Sequence, residues 1–226
     1  IMSLPKINAP EYRLNVPSSD EEIRYRPFLV KEEKLLLIAQ ETGEDKATYG
    51  AIRKIIESCC LDPIDLSKMP LFDMEYIFLN IRAKSVGEIA KLKVTCPDDE
   101  KTEVEVEVDL TKINVELDDE HDPRIQLTDD IGLLMAYPTM ETVGDSQKIV
   151  KEGKETAGIF EIITDCMYQI WEGEETYDAT DYTKKEKLAF LDSLDHKQFE
   201  KIQNFFHTMP TLKHEVEVTN PKTKKK

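Results

Sequence analysis

Cys96-Pro97-Asp98-Asp99 is the segment whose residue types and spacing come nearest to a metal site. It lies in a turn between two alternating stretches, and zinc ribbons place cysteine pairs at the knuckle of such a hairpin. The second position here is Asp99, and one thiolate with one carboxylate falls short of four ligands, so no structural zinc is expected. Glu103, Glu105, Glu107 and Asp109 form a row of carboxylates that could move protons, yet they project from a regular strand with no sign of a cleft. His121, His196, His207 and His214 are scattered, and each has an ordinary place: an acidic loop, two helix ends and the apolar side of a strand. No phosphate loop, dinucleotide fingerprint, nucleophile elbow or paired-histidine zinc motif occurs, and the glycines do not cluster. The expectation is a protein without catalytic residues, cofactor or metal.

The elements that carry these residues run from Met69 to Leu110. Residues 70–83 are apolar on nearly every side, with polar breaks at Asp73, Glu75, Asn80 and Arg82, as suits a helix inside a core. After Gly87 the period becomes two, in Lys91–Val94 and again in Glu103–Leu110. Placing Val94 opposite Val104 sets Lys93 against Glu105 and Lys91 against Glu107, with Leu92 and Val106 on the dry side. Each such pair contributes roughly 0.2–1 kcal/mol, whereas a slip of one residue would turn the valines to water. Glu103 and Asp109 are left without an obvious basic partner.

A chain of 226 residues with 40% hydrophobic and 34% charged residues can bury a core and reads as globular. No run approaches the roughly 18 apolar residues that span a bilayer, and the amino terminus shows no basic region followed by an apolar one. Ile1 precedes what reads as the start, Met2-Ser3-Leu4-Pro5, and a cytoplasmic protein is expected. Net charge is -16, and residues 98–130 hold fourteen acidic side chains against Lys101, Lys112 and Arg124. Such a field repels phosphate backbones, so nucleic acid is not an expected partner. It serves either as a solvated surface or to steer a basic protein. Four cysteines, two of them adjacent, read as free thiols.

In chain order, residues 10–16 and 22–26 read as a β-hairpin ended by Pro27. Residues 28–40 turn helical and close at Gly43, and Asp45 can cap a second helix through Tyr49, Ile52, Ile55, Ile56 and Cys59. The two should pack as an antiparallel pair against the helix that follows. Beyond the acidic hairpin, short strands are expected at 113–117, 125–127 and 131–137, while 140–150 is ambiguous and 151–155 reads as a mobile loop. Helices follow: a broad apolar face from Ile159 to Trp171, then capping signals at Thr183-Lys184-Lys185-Glu186 and Asp195-His196-Lys197-Gln198. Phe199, Phe205 and Phe206 suit core packing better than docking. Pro210 closes the last helix, and residues 212–218 alternate as a strand that enters a turn at Asn220-Pro221-Lys222-Thr223 with no return strand.

Arg24-Tyr25-Arg26-Pro27-Phe28 concentrates cations and aromatics in an acidic protein. Either it pairs with local acids such as Glu32 and Glu33, or it forms a contact surface. The candidate partner-binding residues are therefore Arg24, Tyr25, Arg26, Phe28, Glu103, Glu105, Glu107 and Asp109. The expected fold is α+β: an amino-terminal β-hairpin over 1–30, a helical segment over 31–88, an antiparallel β region over 89–137 and a helical region with a terminal strand over 138–226. Residues 28–210 would form one compact unit.

Three segments in order carry a family likeness: Arg24–Leu36, Phe72–Leu79 with Arg82–Glu88, and Tyr137-Pro138-Thr139-Met140. Together they resemble the baseplate hub proteins of T-even-type contractile-tailed phages, from about Tyr12 to Pro221. Some members of that family carry Cys-Pro-x-Cys at the hairpin turn, where this chain has Cys96-Pro97-Asp98-Asp99, and members tend to continue beyond the place where it stops. The resemblance implies a non-enzymatic part in building the tail baseplate, as a hub component or as an assembly factor that leaves. Its partners would be other tail and baseplate hub proteins, met in the host cytoplasm during assembly or in the virion tail. The alternatives are a cytoplasmic adaptor or chaperone that holds a basic client, and a metal protein derived from a zinc ribbon.

Overall fold

A computed structural model describes residues 8–43, 45–151 and 153–225, with Asp45 in its backbone only. The start at Met2, the capping side chain of Asp45 and Glu152 of the loop after 150 lie outside the described residues. In chain order the elements are β1 (Tyr12–Asn15), β2 (Glu22–Tyr25), α1 (Val30–Thr42), α2 (Asp45–Cys59), α3 (Leu71–Val86), β3 (Ile89–Thr95), β4 (Glu103–Asp109), β5 (Val115–Glu116), β6 (Arg124–Gln126), β7 (Ile131–Met135), α4 (Met140–Lys151), α5 (Glu155–Cys166), β8 (Met167–Glu172), β9 (Glu175–Asp178), α6 (Lys184–Asp192), α7 (His196–Thr208) and β10 (Thr211–Leu212). The fold is α+β with small antiparallel sheets. Its contacts divide it into one unit of residues 1–66, 72–115 and 212–226 and another of 67–71 and 116–211.

In the first unit, β1 and β2 pair with Leu14 opposite Ile23 and Tyr12 opposite Tyr25, so the alternating apolar residues turn inward. The chain leaving α2 returns along β2, where the Leu61 N–H donates to the Arg24 carbonyl at 2.8 Å and the Arg26 N–H to the Cys59 carbonyl at 3.0 Å. α1 begins at Val30 and ends on Gly43, whose φ of +64° is the left-handed cap that glycine accepts without strain. α3 buries Phe72, Met74, Ile77, Ile81 and Ala83, as its composition predicts. One of its polar breaks is buried as well: an Asp73 carboxylate oxygen accepts from the Ser18 N–H at 3.0 Å while the other has no partner among the described residues.

The β3–β4 ribbon has the register argued from charge, with Val94 opposite Val104, Lys93 opposite Glu105 and Lys91 opposite Glu107. Its dry side is shorter than expected. Ala83, Ala90, Val108 and Leu110 form a small core at the base, with Leu79, Val106 and Ile113 against it, but Leu92 is 47% exposed. Alternation marks which residues share a face without deciding how much of that face is buried. The expected strand at 113–117 shrinks to β5, because Asp109 caps a 3-10 turn over Leu110–Lys112. The terminal strand is likewise reduced: β10 pairs with β5 over two residues, and residues 213–219 are in no ladder.

The second unit is built on a four-stranded antiparallel sheet in the order β6-β7-β8-β9. The helix expected through Trp171 ends at Cys166, and Met167–Glu172 becomes β8, with Ile170 opposite Leu133 and Trp171 opposite Gly132. Helical and strand spacing coincide over so short an apolar run, and strand pairing on both sides decides the outcome. Gly173, at φ +60°, opens the two-residue turn into β9, a conformation such hairpins require. The ambiguous stretch from Met140 is helical. Leu133, Met135, Ile163, Met167, Leu191, Ile202 and Phe205 form the core, with Phe199 and Phe206 packed against it. The capping boxes of α6 and α7 are present at Thr183 with Glu186 and at Asp195 with Gln198.

Candidate contact surface

The charged face of the ribbon carries Lys91 and Lys93 on β3 and Glu103, Glu105 and Glu107 on β4, all exposed. Lys91 reaches Glu107 at 3.2 Å, so part of the negative charge is answered within the face. Glu103 stands opposite Thr95. Asp109 takes the Thr111 N–H and hydroxyl and lies 3.5 Å from Lys112, and the Thr111 bonds, with Lys112 assisting, hold its carboxyl below the usual range. The outward carboxylates on offer are therefore Glu103, Glu105 and Glu107, beside the open apolar face at Leu92.

The Arg24–Phe28 segment is tied into its own unit. Arg24 clasps Asp62 through both carboxylate oxygens, with a shortest contact of 2.7 Å, and the hydrogen bond and charge lower the Asp62 pKa. Tyr25 is buried, and burial raises its phenol to about 12. Arg26 donates to Glu32 at 2.9 Å, to the Ser58 carbonyl and hydroxyl and to the Pro27 carbonyl. Glu32 is buried, which opposes its charge, but hydrogen bonds from Arg26, Ser58, the Leu29 N–H and Lys31 outweigh that and hold its pKa at about 2. Phe28 is half-buried, and its N–H donates to the Ser85 hydroxyl at 2.9 Å. The structure thus fills in one of the two readings of this segment, pairing with a local acid, and Glu32 is that acid.

At the knuckle, Asp99 accepts from the N–H groups of Lys101 and Thr102 and from the Thr102 hydroxyl, which hold its carboxyl well below the ordinary range. Cys96 is buried, and burial with Asp98 and Asp99 close by pushes its thiol up, the opposite of what a zinc thiolate needs. Asp98 accepts from the Asn220 amide at 2.7 Å and from the Thr223 hydroxyl. Sequence reasoning missed those two partners, because they lie more than 120 residues along the chain from Asp98 and no local pattern links the two turns. Cys59, Cys60 and Cys166 are free, and burial lifts them to about 11, 12 and 12, as befits unreactive thiols.

His121 lies in the acidic loop expected for it, half-buried, with its ring against Tyr137 and Phe205 of the second unit. Its ring stacks on Tyr137 at 5.5 Å, Nδ1 lies 2.9 Å from the Thr208 hydroxyl and Nε2 lies 3.0 Å from the Tyr137 hydroxyl. Burial lowers its pKa against the pull of Asp118 and Asp122. His214 is exposed and in no strand, contrary to its expected place on an apolar strand face. An apolar cleft of about 370 Å³, lined by Ile131, Ile170, Tyr177, Tyr182 and Phe190, was not foreseen. The polar groups at its edge are engaged locally: Glu186 caps α6 and Lys187 donates to the Thr164 carbonyl. Among the described residues no three His, Cys, Asp or Glu side chains gather as metal ligands, and no helix is long and apolar enough to cross a membrane.

Residues 9–226 match the family described as T4 bacteriophage base plate protein. The chain belongs to that family. No curated protein and no solved structure matches it. The segments that carried the resemblance have identifiable work in this family member. Arg26 and Glu32 tie β2 to the start of α1, and Phe72–Leu79 supplies the buried Phe72, Met74 and Ile77 of α3. Pro138 and Thr139 bind the chain at Leu71 and Pro70 through a 2.9 Å hydrogen bond and a β-bridge.

Proposed function

We propose that this base plate family protein acts through protein–protein contacts, as a component of the tail baseplate hub or as a factor that helps the hub assemble, without catalysis or cofactor. The observation that carries the reading, beside the family, is the β3–β4 ribbon. A two-stranded ribbon is marginal by itself in water; this one has a small apolar core at its base and residues 220–223 against its turn, which leaves Leu92 between them 47% exposed. Its outer part presents Leu92 on one face and Glu103, Glu105 and Glu107 on the other, with Asp109 at the root. Arg24 adds an exposed cation on β2, while Tyr25, Arg26 and Phe28 serve by shaping the surface around it. The partner is another protein of the phage tail, joined in the host cytoplasm during assembly.

The test is recovery of the tagged chain from infected-cell lysate. Other baseplate proteins should accompany it at moderate salt, and Leu92→Asp should reduce their recovery at least tenfold. Recovery without any tail component would remove the proposal. The acidic stretch from Asp98 to Asp130 supports a second reading, an adaptor that holds a basic client by its field. A complex of that kind dissolves between low and moderate ionic strength. Mass spectrometry of finished tails against assembly intermediates separates a resident component from a departing factor.

A further inference from the structure

The turns Cys96-Pro97-Asp98-Asp99 and Asn220-Pro221-Lys222-Thr223 are built on one plan. In each, the residue four places after the first returns its N–H to the first residue's carbonyl, Glu100 to Cys96 at 3.0 Å and Lys224 to Asn220 at 2.9 Å. In each, that residue has a left-handed backbone, with φ of +51° at Glu100 and +64° at Lys224. The other non-glycine residue with positive φ among those described, Asp20, closes a turn of the same kind, its N–H returning to the Val16 carbonyl at 2.8 Å and the Val16 N–H crossing to the Glu21 carbonyl at 2.9 Å, so the turn plan is shared by all three and what sets the Cys96 and Asn220 turns apart is that they face each other. In each, the first residue's N–H crosses the turn, from Cys96 to the Thr102 carbonyl at 2.8 Å and from Asn220 to the Lys225 carbonyl at 2.9 Å.

The turns also meet. Asp98 accepts from the Asn220 amide at 2.7 Å with one oxygen and from the Thr223 hydroxyl with the other. Asn220 is 1% exposed, and its own carbonyl oxygen takes the N–H groups of Lys222 at 2.9 Å and Thr223 at 3.3 Å. Two facing turns, each giving a first and a fourth residue, are the layout of a four-ligand zinc site. Here those positions are Cys96, Asp99, Asn220 and Thr223. An amide and a neutral hydroxyl are poor zinc donors, while hydrogen bonds to a carboxylate are among the stronger ones.

We propose that the two turns are a pair of knuckles closed by the Asp98 carboxylate where a metal ion would otherwise close them, and that this clasp holds residues 213–225 to the tip of the ribbon. The clasp explains how a terminal segment with no ladder beyond β10 is kept in place. It also predicts a latent metal site, since cysteine at the other three ligand positions completes a tetrahedral set.

The Asp99→Cys, Asn220→Cys, Thr223→Cys triple variant should bind close to one equivalent of Co²⁺ with the absorption of a tetrahedral thiolate site, displaced by Zn²⁺. The unaltered chain serves as the blank. A folded triple variant that takes up no more cobalt than the blank overturns the proposal. Should that variant not fold, Asp98→Ala in the otherwise unaltered chain decides. Tryptic cleavage within 213–225 should quicken at least tenfold, with Asp98→Asn, which keeps an oxygen toward Asn220, in between. Cleavage of Asp98→Ala at the unaltered rate refutes the clasp.

Discussion

Arg26→Met tests whether the start of α1 is held by charge. The substitution keeps a long stem and removes the donor that reaches Glu32 at 2.9 Å, the Ser58 carbonyl at 2.9 Å and the Pro27 carbonyl at 2.9 Å. Glu32, with a side chain only 2% exposed, is left buried and ionised. Stranding a buried charge costs about 3–5 kcal/mol. Three partners remain on Glu32, namely the Ser58 hydroxyl at 2.6 Å, the Leu29 N–H at 2.8 Å and Lys31 at 3.2 Å, so the low end, about 3 kcal/mol, is expected at neutral pH. Arg24→Met provides the contrast, for its pair with Asp62 is at the surface, where solvent screens the charges and such pairs contribute little. Because the folded pKa of Glu32 is about 2, below its ordinary value of 4.5, the network's stabilisation is complete above about pH 4.5 and disappears as pH falls toward 2. Arg26→Met should shrink that acid-dependent loss. Adding Glu32→Gln to Arg26→Met should recover stability by removing the stranded charge. Urea unfolding followed by circular dichroism from pH 2 to 7 measures all three, whereas Trp171 fluorescence reports on the other unit. Arg26→Met that costs no more than Arg24→Met, with an unchanged acid profile, would refute the reasoning.

Two further outcomes are expected. In Gly132→Ala a Cβ would lie 1.8 Å from Trp171, whose ring also receives Arg124 at 4.5 Å, so the indole must move; the emission of this single tryptophan should shift and stability should fall by about 1–3 kcal/mol. Asp73 has its pKa raised by burial against the Ser18 hydrogen bonds, so it weakens the fold as pH rises through that raised value; Asp73→Asn should flatten this decline in a pH series of urea midpoints, and an unaltered slope would contradict the assignment.

Local sequence was enough wherever the deciding interactions are local. The valine–glutamate alternation carried the ribbon's register, because a slip of one residue turns the valines to water, while the alignment with Val94 opposite Val104 answers both lysines. Thr183 with Glu186, Asp195 with Gln198, and Gly43 marked helix ends because caps are made within a turn of the residue concerned. The strand at Met167–Glu172 was not legible, since its apolar residues fit either period and the choice belongs to Leu133 and Tyr177 on its neighbours. The exposure of Leu92 was equally out of reach: alternation tells which residues share a face, while what covers that face depends on elements remote in the chain. The same holds for Asp98 and Asn220, 122 residues apart. The sequence by itself determined the local turns, caps and register. Tertiary structure alone decided which of those turns meet and which faces stay open to a partner, because burial and long-range hydrogen bonds are set by where the chain returns.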